Sequence, residues 1–364
     1  MADQQITSSL QTIQFRKDFF REYQRTNRFS PYSGRGVNNC IVQKMGGDNP
    51  TIRHPLVTRL KGSGVSGSDI LRGNGESIGN YSWDTNPTFY RHAVEFNKED
   101  LQKTNLALQK EARPLLMEWA QSATRDRQLQ AFGAFYDLTS TTYANMEDAT
   151  ETNKDAWLVK NADRVMFGLS VGSFTDHSAD LAQLDDTNDK FNYVALRAMR
   201  RKAEDADPHI HPYQTSEEGE VYVVFAGSEA RKDFRASLDT INQNADIRGM
   251  KITAGGNTLA RDGDMFFEGC IIRKIPEIST MFSGTGKPLI LAGAGAAVRV
   301  EVVFLCGRQA LVHGMGQAPS FEVDRTYDYG FRPGVAIELK EDIKKAYFNG
   351  YQHGMVTGYF AAEV

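Results

Sequence analysis

Residues 60–71 read LKGSGVSGSDIL. Gly62, Gly64 and Gly67 match G-x-G-x-x-G, the fingerprint of a dinucleotide phosphate cradle. The strand-like TIRHPLVTRL (51–60) runs straight into it. Such a cradle needs a helix next, because the phosphates sit on a helix N-terminus. The chain continues instead as SDILRGNGESIGN, with further glycines at 73, 75 and 79, and no helix begins there. With 32 glycines in 364 residues, about 0.2 such matches arise by accident. The flanks decide the matter. TFYRHAVEF (88–96) alternates in polarity as a second strand does, so the stretch reads as the slack tip of a hairpin over 51–96. Pro55 marks an edge strand. Ten residues of strand span about 33 Å, enough to reach beyond the chain's own core.

N-terminal to the hairpin, residues 1–50 read as an extended arm. TIQFRKDFFREYQ carries Phe15, Phe19 and Tyr23 at helical spacing, with Phe20 beside them; Phe29 and Tyr32 come next in a polar, Gly- and Pro-containing segment. These aromatics need a surface, expected to come from a neighbour. C-terminal to the hairpin, a long helix is expected over 98–133. Asn97 is its cap, and Leu101, Leu108, Ala112, Leu115 and Trp119 form one stripe. Pro114 is expected to kink it. Further on, FNYVALRAMRRKAEDA reads as a helix, EVYVVFAG as a buried strand, and SEARKDFRA as a helix capped by Ser228. GVAIELKEDIKKAYFNGYQHGMVTGYF reads as two antiparallel strands. Strands and helices do not alternate strictly, so the fold class is α+β.

Composition excludes several classes. Forty per cent hydrophobic and 24 per cent charged residues make an ordinary globular chain. No apolar run approaches a membrane span, and the N-terminus has no secretory h-region. Cys40, Cys270 and Cys306 are too scattered for a disulfide framework or a zinc site and suit a reducing cytosol. A net charge of −4 opposes tight whole-surface nucleic-acid binding.

Three further motifs invite a chemical reading. Gly168-Leu169-Ser170-Val171-Gly172 imitates a nucleophile elbow, but a polar, breaker-rich segment stands where the helix belongs. SGTGKP (283–288) imitates the end of a phosphate loop, with Met281 and Pro288 at two required positions. His209-Ile210-His211 could hold a metal with Glu217, Glu218 or Glu220 if it lay on a strand. That is the alternative reading, a metal-binding, cupin-like enzyme. A third is a cytosolic interaction module. The leading reading needs no cofactor, no metal and no catalytic residue.

The order of parts, arm, glycine-tipped hairpin, long helix, mixed domain and closing strands, resembles the tailed-phage major capsid protein of the Hong Kong 97-like fold. PLVTRLKGSGVSGSDILRGNGES, HPYQTSEEGEVYVVFAGSEARKDFR, NTLARDGDMFFEGCIIRKIPEI, PLILAGAGAAVRV and YDYGFRPGVAIELKEDIKKAYFNGYQHGMV stand in the same order as in the large family typified by a short-tailed coliphage capsid protein. The resemblance implies an N-arm (1–50), an E-loop (51–96), a P-domain with a spine helix (97–190), a mainly A-domain segment (191–325) and C-terminal strands (326–364). It implies pentamers and hexamers of the chain itself in an icosahedral shell that matures by expansion. Its partners would be a scaffolding protein, a portal, a decoration protein and weakly held packaged DNA, and no membrane. The place would be the virion, after assembly in the host bacterial cytoplasm. Expected contacts between subunits are Arg53, Arg59, Lys61, Gly62, Gly64, Gly67, Arg72, Gly73 and Gly75 of the E-loop, with the cations meeting carboxylates of a neighbour. In the arm they are Phe15, Phe19, Phe20, Tyr23, Phe29 and Tyr32.

Overall fold

The computed structural model describes residues 25–47, 50–99, 108–146, 148–216, 219–245, 264–281, 290–291 and 298–362. The chain divides into two compact units, each gathered from separated segments. The larger comprises Arg28–Thr88, Thr124–Gln317 and Glu341–Val364; the smaller comprises Met1–Asn27, Phe89–Ala123 and Ala318–Lys340.

The larger unit is built on an eight-stranded sheet. Its path runs β11 (Met265–Phe267), β12 (Cys270–Lys274), β10 (Gly219–Ala226), β14 (Arg299–Cys306), β19 (Met355–Ala361) and β8 (Val165–Phe167). Two short strands, β9 (Gln214–Ser216) and β13 (Ile290–Leu291), pair with β10 and β14. EVYVVFAG and RVEVVFLC lie at its centre and are apolar at consecutive positions because both faces are covered. One face packs Val223, Phe225, Val302, Phe304 and Tyr359 against Phe132, Phe135 and Trp157. The other packs Tyr222, Val224, Val303, Leu305 and Phe360 against Leu196, Met199, Phe234 and Leu238.

Three of the six described helices lie in segments that read as helical from the sequence; the other three, at 151–160, 177–182 and 278–281, do not. Among those described, α1 is Leu108–Gly133, α2 Glu151–Lys160, α3 His177–Ala182, α4 Tyr193–Asp205, α5 Ser228–Ala245 and α6 Ile278–Met281. Asn192 caps α4 by accepting from Ala195 N–H at 2.8 Å. Asn97 likewise accepts from Glu99 N–H at 3.1 Å. Ser228 does not cap α5. The buried carboxylate of Glu301 accepts from Ala230 N–H, and Ser279 Oγ accepts from Ser228 N–H at 3.3 Å. A cap drawn from another strand has no local signature.

A five-stranded sheet has the order β1 (Ser33–Gly34), β2 (Ile41–Met45), β15 (Leu311–Asp324), β16 (Gly334–Lys345) and β5 (Thr88–Glu95). In the smaller unit, Val335, Ile337 and Leu339 of β16 pack on Ala112, Leu116 and Ala120 of α1. The buried stripe is thus 112, 116 and 120. Leu115, placed on the stripe by the sequence, is exposed, because the small alanines and Leu116 face the sheet. Pro114 lies inside α1 without ending it. Leu101 lies outside the described residues.

Three small hairpins complete the fold: β3 (Ile52–Val57) with β4 (Asn80–Thr85), β6 (Ala134–Asp137) with β7 (Thr142–Asn145), and β17 (Tyr347–Phe348) with β18 (Tyr351–Gln352). Two pairings differ from expectation. The arm at 51–60 returns through Asn80–Thr85, and Thr88–Glu95 joins the other sheet instead; Asn86 and Pro87 break the chain between them. The C-terminal strands β16 and β19 belong to different sheets. Asn349 and Gly350, both at positive φ, close the β17–β18 turn and divert the chain.

Candidate assembly surface

The hairpin is firm at its base and loose at its tip. Ile52 stands opposite Thr85 and Val57 opposite Asn80. On the inner face His54 Nε2 lies 2.9 Å from Thr85 Oγ1 and its ring is 4.8 Å from that of Trp83. Burial first of all, and nearby Lys44, hold the imidazole below its ordinary range. Trp83 packs with Val312, Ala346, Tyr143 and Phe348. On the outer face Arg53 makes a two-bond pair with Asp84, at 2.9 and 3.0 Å. Asn86 N–H donates to Asp342 at 2.7 Å. These bonds moor β3 and β4 within the larger unit.

Beyond Val57 the ladder stops. Thr58 N–H still donates to Gly79 O at 2.9 Å. Past it, Glu76 accepts from Lys61 N–H at 2.8 Å and Gly62 N–H at 2.6 Å, which holds its carboxyl below the usual range. The amides that a phosphate would need are therefore taken by the chain's own carboxylate. Gly64, Gly67 and Gly73 adopt positive φ, the freedom that made this stretch glycine-rich. Gly75 and Arg72 are exposed. So are the apolar side chains Val57, Leu60, Ile70, Leu71 and Ile78, between 61 and 73 per cent. Water exacts a free-energy cost for each, and their concentration on one loop makes it the candidate assembly surface.

Three of the four predicted cations are taken by carboxylates of their own chain. Arg53 is bound to Asp84, and Arg59 and Lys61 both reach Asp207 of the same chain. Phe29 and Tyr32 also differ from expectation. Phe29 is fully buried, with ring centroids 5.3 Å from Phe132 and 5.0 Å from Phe225. Tyr32 is buried beside Phe225, and its hydroxyl donates to Asp264 at 2.8 Å. They plug one face of the larger sheet, which sequence distance concealed. Phe15, Phe19, Phe20 and Tyr23 lie outside the described residues.

A second exposed cluster escapes the sequence reading. Between β15 and β16, Asp328, Tyr329 and Gly330 take positive φ in succession. That backbone turns Tyr329 wholly into solvent, with Tyr327 and Phe331 exposed beside it. Its signal in the sequence is YDYGF itself, three aromatics in a turn.

The chemical motifs resolve as structure. Ser170 Oγ donates to Asp189 Oδ2 at 2.7 Å, and Leu169 and Ser170 N–H donate to Oδ1 at 2.8 and 3.0 Å. The serine serves a buried carboxylate that folds the turn. His209 and His211 are exposed on an irregular segment and not on a strand, so the spacing that would align two ligands is missing. Among the described residues no group of three His, Cys, Asp or Glu is placed to hold a metal. Glu217, Glu218 and SGTGKP lie outside them. The three cysteines are buried thiols. No described helix is long and apolar enough to cross a membrane.

Comparison with known proteins bears on the family and the fold. No curated protein matches. Among solved structures, the capsid of cyanophage Pam1 is 28% identical, with a TM-score of 0.89, covering 100% of this chain and 99% of that one. The capsid of Ralstonia phage GP4 is 18% identical with a TM-score of 0.72, covering 98% and 96%. The head of Helicobacter pylori bacteriophage KHP40 is 13% identical with a TM-score of 0.66, over the same shares of the two chains. The family model described as phage capsid protein matches residues 4–360. The chain therefore belongs to the phage capsid protein family and has the Hong Kong 97-like fold.

Proposed function

We propose that copies of this chain close into the icosahedral head of a tailed, double-stranded DNA phage, each hairpin lying over a neighbouring copy. One observation carries the reading. The tip at 58–79 exposes Leu60, Ile70, Leu71 and Ile78 together, on a loop with no core of its own. Such an arm gains burial only from a second molecule, and heterologous contacts of this kind close into rings when the rotation fits. The role is assembly and not catalysis. Residues 52–85, the hairpin of β3 and β4, act as the E-loop and α1 as the spine helix. Gly62, Gly64, Gly67, Arg72, Gly73 and Gly75 adapt the tip to its neighbour, and Phe15, Phe19, Phe20 and Tyr23 contribute from the arm. A scaffolding protein, a portal and weak contact with packaged DNA complete the reading. Assembly takes place in the host cytoplasm, and expansion of the shell comes after it.

Deletion of Gly62–Gly79 tests it. The deleted chain is expected to keep its melting transition, since residues 66–82 are exposed throughout, and to yield no shells by negative-stain electron microscopy. Normal particles would overturn the proposal.

A further inference from the structure

Arg59 and Lys61 leave strand β3 as the first cations of the tip, and both end on one distant carboxylate. Arg59 Nη2 donates to Asp207 Oδ1 at 2.9 Å and Lys61 Nζ to Asp207 Oδ2 at 3.0 Å. Lys61 does two things at once. Its backbone N–H closes the tip onto Glu76 while its ammonium ties the tip to the body. The post itself is rigid. Asp207 N–H donates to Asp163 Oδ2 at 3.2 Å, and the buried Arg164 guanidinium donates to the carbonyls of Pro208 and Gln352.

The tie does not cover the apolar face. Leu60, Ile70, Leu71 and Ile78 stay in solvent while it is made, so it is no autoinhibitory latch. We propose that Asp207 is a positioning residue for assembly, mooring the hairpin so that its apolar tip is presented in one orientation to a second copy of this chain. The inference rests on the reading of the hairpin as the arm between copies. A loop that is free before docking must lose its conformational entropy on docking, and a moored loop has lost part of it already. A single exposed ion pair is weak. Here two share one acceptor, and every copy in a ring carries the same tie, so the effect multiplies around the ring.

Asp207→Asn tests the mooring. The expected results are an unchanged melting transition, trypsin cleavage after Arg72 about tenfold faster, and about tenfold fewer particles by sedimentation and negative stain. The charge-swapped chain, Asp207→Lys with Arg59→Glu and Lys61→Glu, is expected to recover slow cleavage and particle yield. Wild-type cleavage in Asp207→Asn overturns the proposal, and so does faster cleavage with undiminished particles. Ile70→Asp with Ile78→Asp separates this claim from the reading beneath it. If that chain assembles normally, docking by the tip fails whatever Asp207 does. If it loses particles while Asp207→Asn keeps them, docking stands and the mooring falls.

Discussion

Glu341 and Lys345 lie on the same inward row of β16, and their burial has opposite consequences. Glu341 is met from three sides. His313 Nε2 lies 2.8 Å from Oε2, Arg127 Nε donates to Oε1 at 2.7 Å, and Thr124 Oγ1 donates at 3.0 Å. Burial alone would raise its pKa, but the His313 hydrogen bond and the charges of His313 and Arg127 outweigh burial and hold it below the usual range. The stability it contributes is present above the unfolded carboxylate pKa and lost as pH falls through the depressed folded one. Glu341→Ala leaves the half-buried Arg127 without this carboxylate and is expected to cost about 3 kcal/mol, the low end for a broken buried pair, read from melting at pH 7, with a flatter acid limb than wild type. Lys345 meets Gln352 Oε1 at 3.4 Å, beside a cavity lined by Phe132, Trp157, Phe304 and Tyr359. Burial pushes its ammonium down from 10.5 to about 7. The unfolded chain therefore holds this proton more tightly. Stability falls as pH drops from about 10.5 toward 7 and levels off below that. Lys345→Met is expected to remove that slope and add on the order of 4 kcal/mol near pH 6, measured by denaturant melts at pH 6 and 9. In the sequence both residues look like surface charges by type, although their parity with Leu339 and Ile343 already puts them on the apolar row of the strand.

At the scale of elements, α5 depends on a strand far from it. A Cβ added at Gly227 would sit 1.6 Å from Glu301 Oε1, so only glycine lets the carboxylate reach the first turn. Burial pushes that carboxyl up, while Ser279 and Ala230 N–H, donating to it, favour the ionised form. Gly227→Ala is expected to expel Glu301 from the helix terminus and to lower stability by about 2–3 kcal/mol, as loss of a cap and a buried unpaired carboxyl together would. Amide exchange in residues 228–231 would rise with it. An unchanged exchange pattern would show that the cap is not needed. The hairpin shows the same split between local and distant causes. Its glycine-rich tip and first strand were legible from residues 51–79. Its return strand was not, because NYSWDT and TFYRHAVEF both alternate. The choice fell to Trp83, which finds Val312, Ala346 and Phe348 only when the chain is folded.

For the whole molecule, the arm is shorter than its sequence suggested. Phe29, Tyr32, Cys40 and Ile41 all belong to the core of the larger unit. Removal of residues 1–50 is therefore expected to abolish the melting transition, since it uncovers Phe132 and Phe225. A truncated chain that melts as wild type would place the core elsewhere. What the sequence determined by itself was whatever repeats locally or runs in order. That includes the cap at Asn97, the continuous apolar strands, the glycine tip and the colinear segments of the capsid family. Tertiary structure alone decided which strands share a sheet, which aromatics are core and which are surface, and where Arg59 and Lys61 send their charge. The physical reason is range. Backbone preferences act over a turn or a pleat, whereas Asp207 meets Lys61 across 146 residues of chain, where only the folded geometry selects the partner.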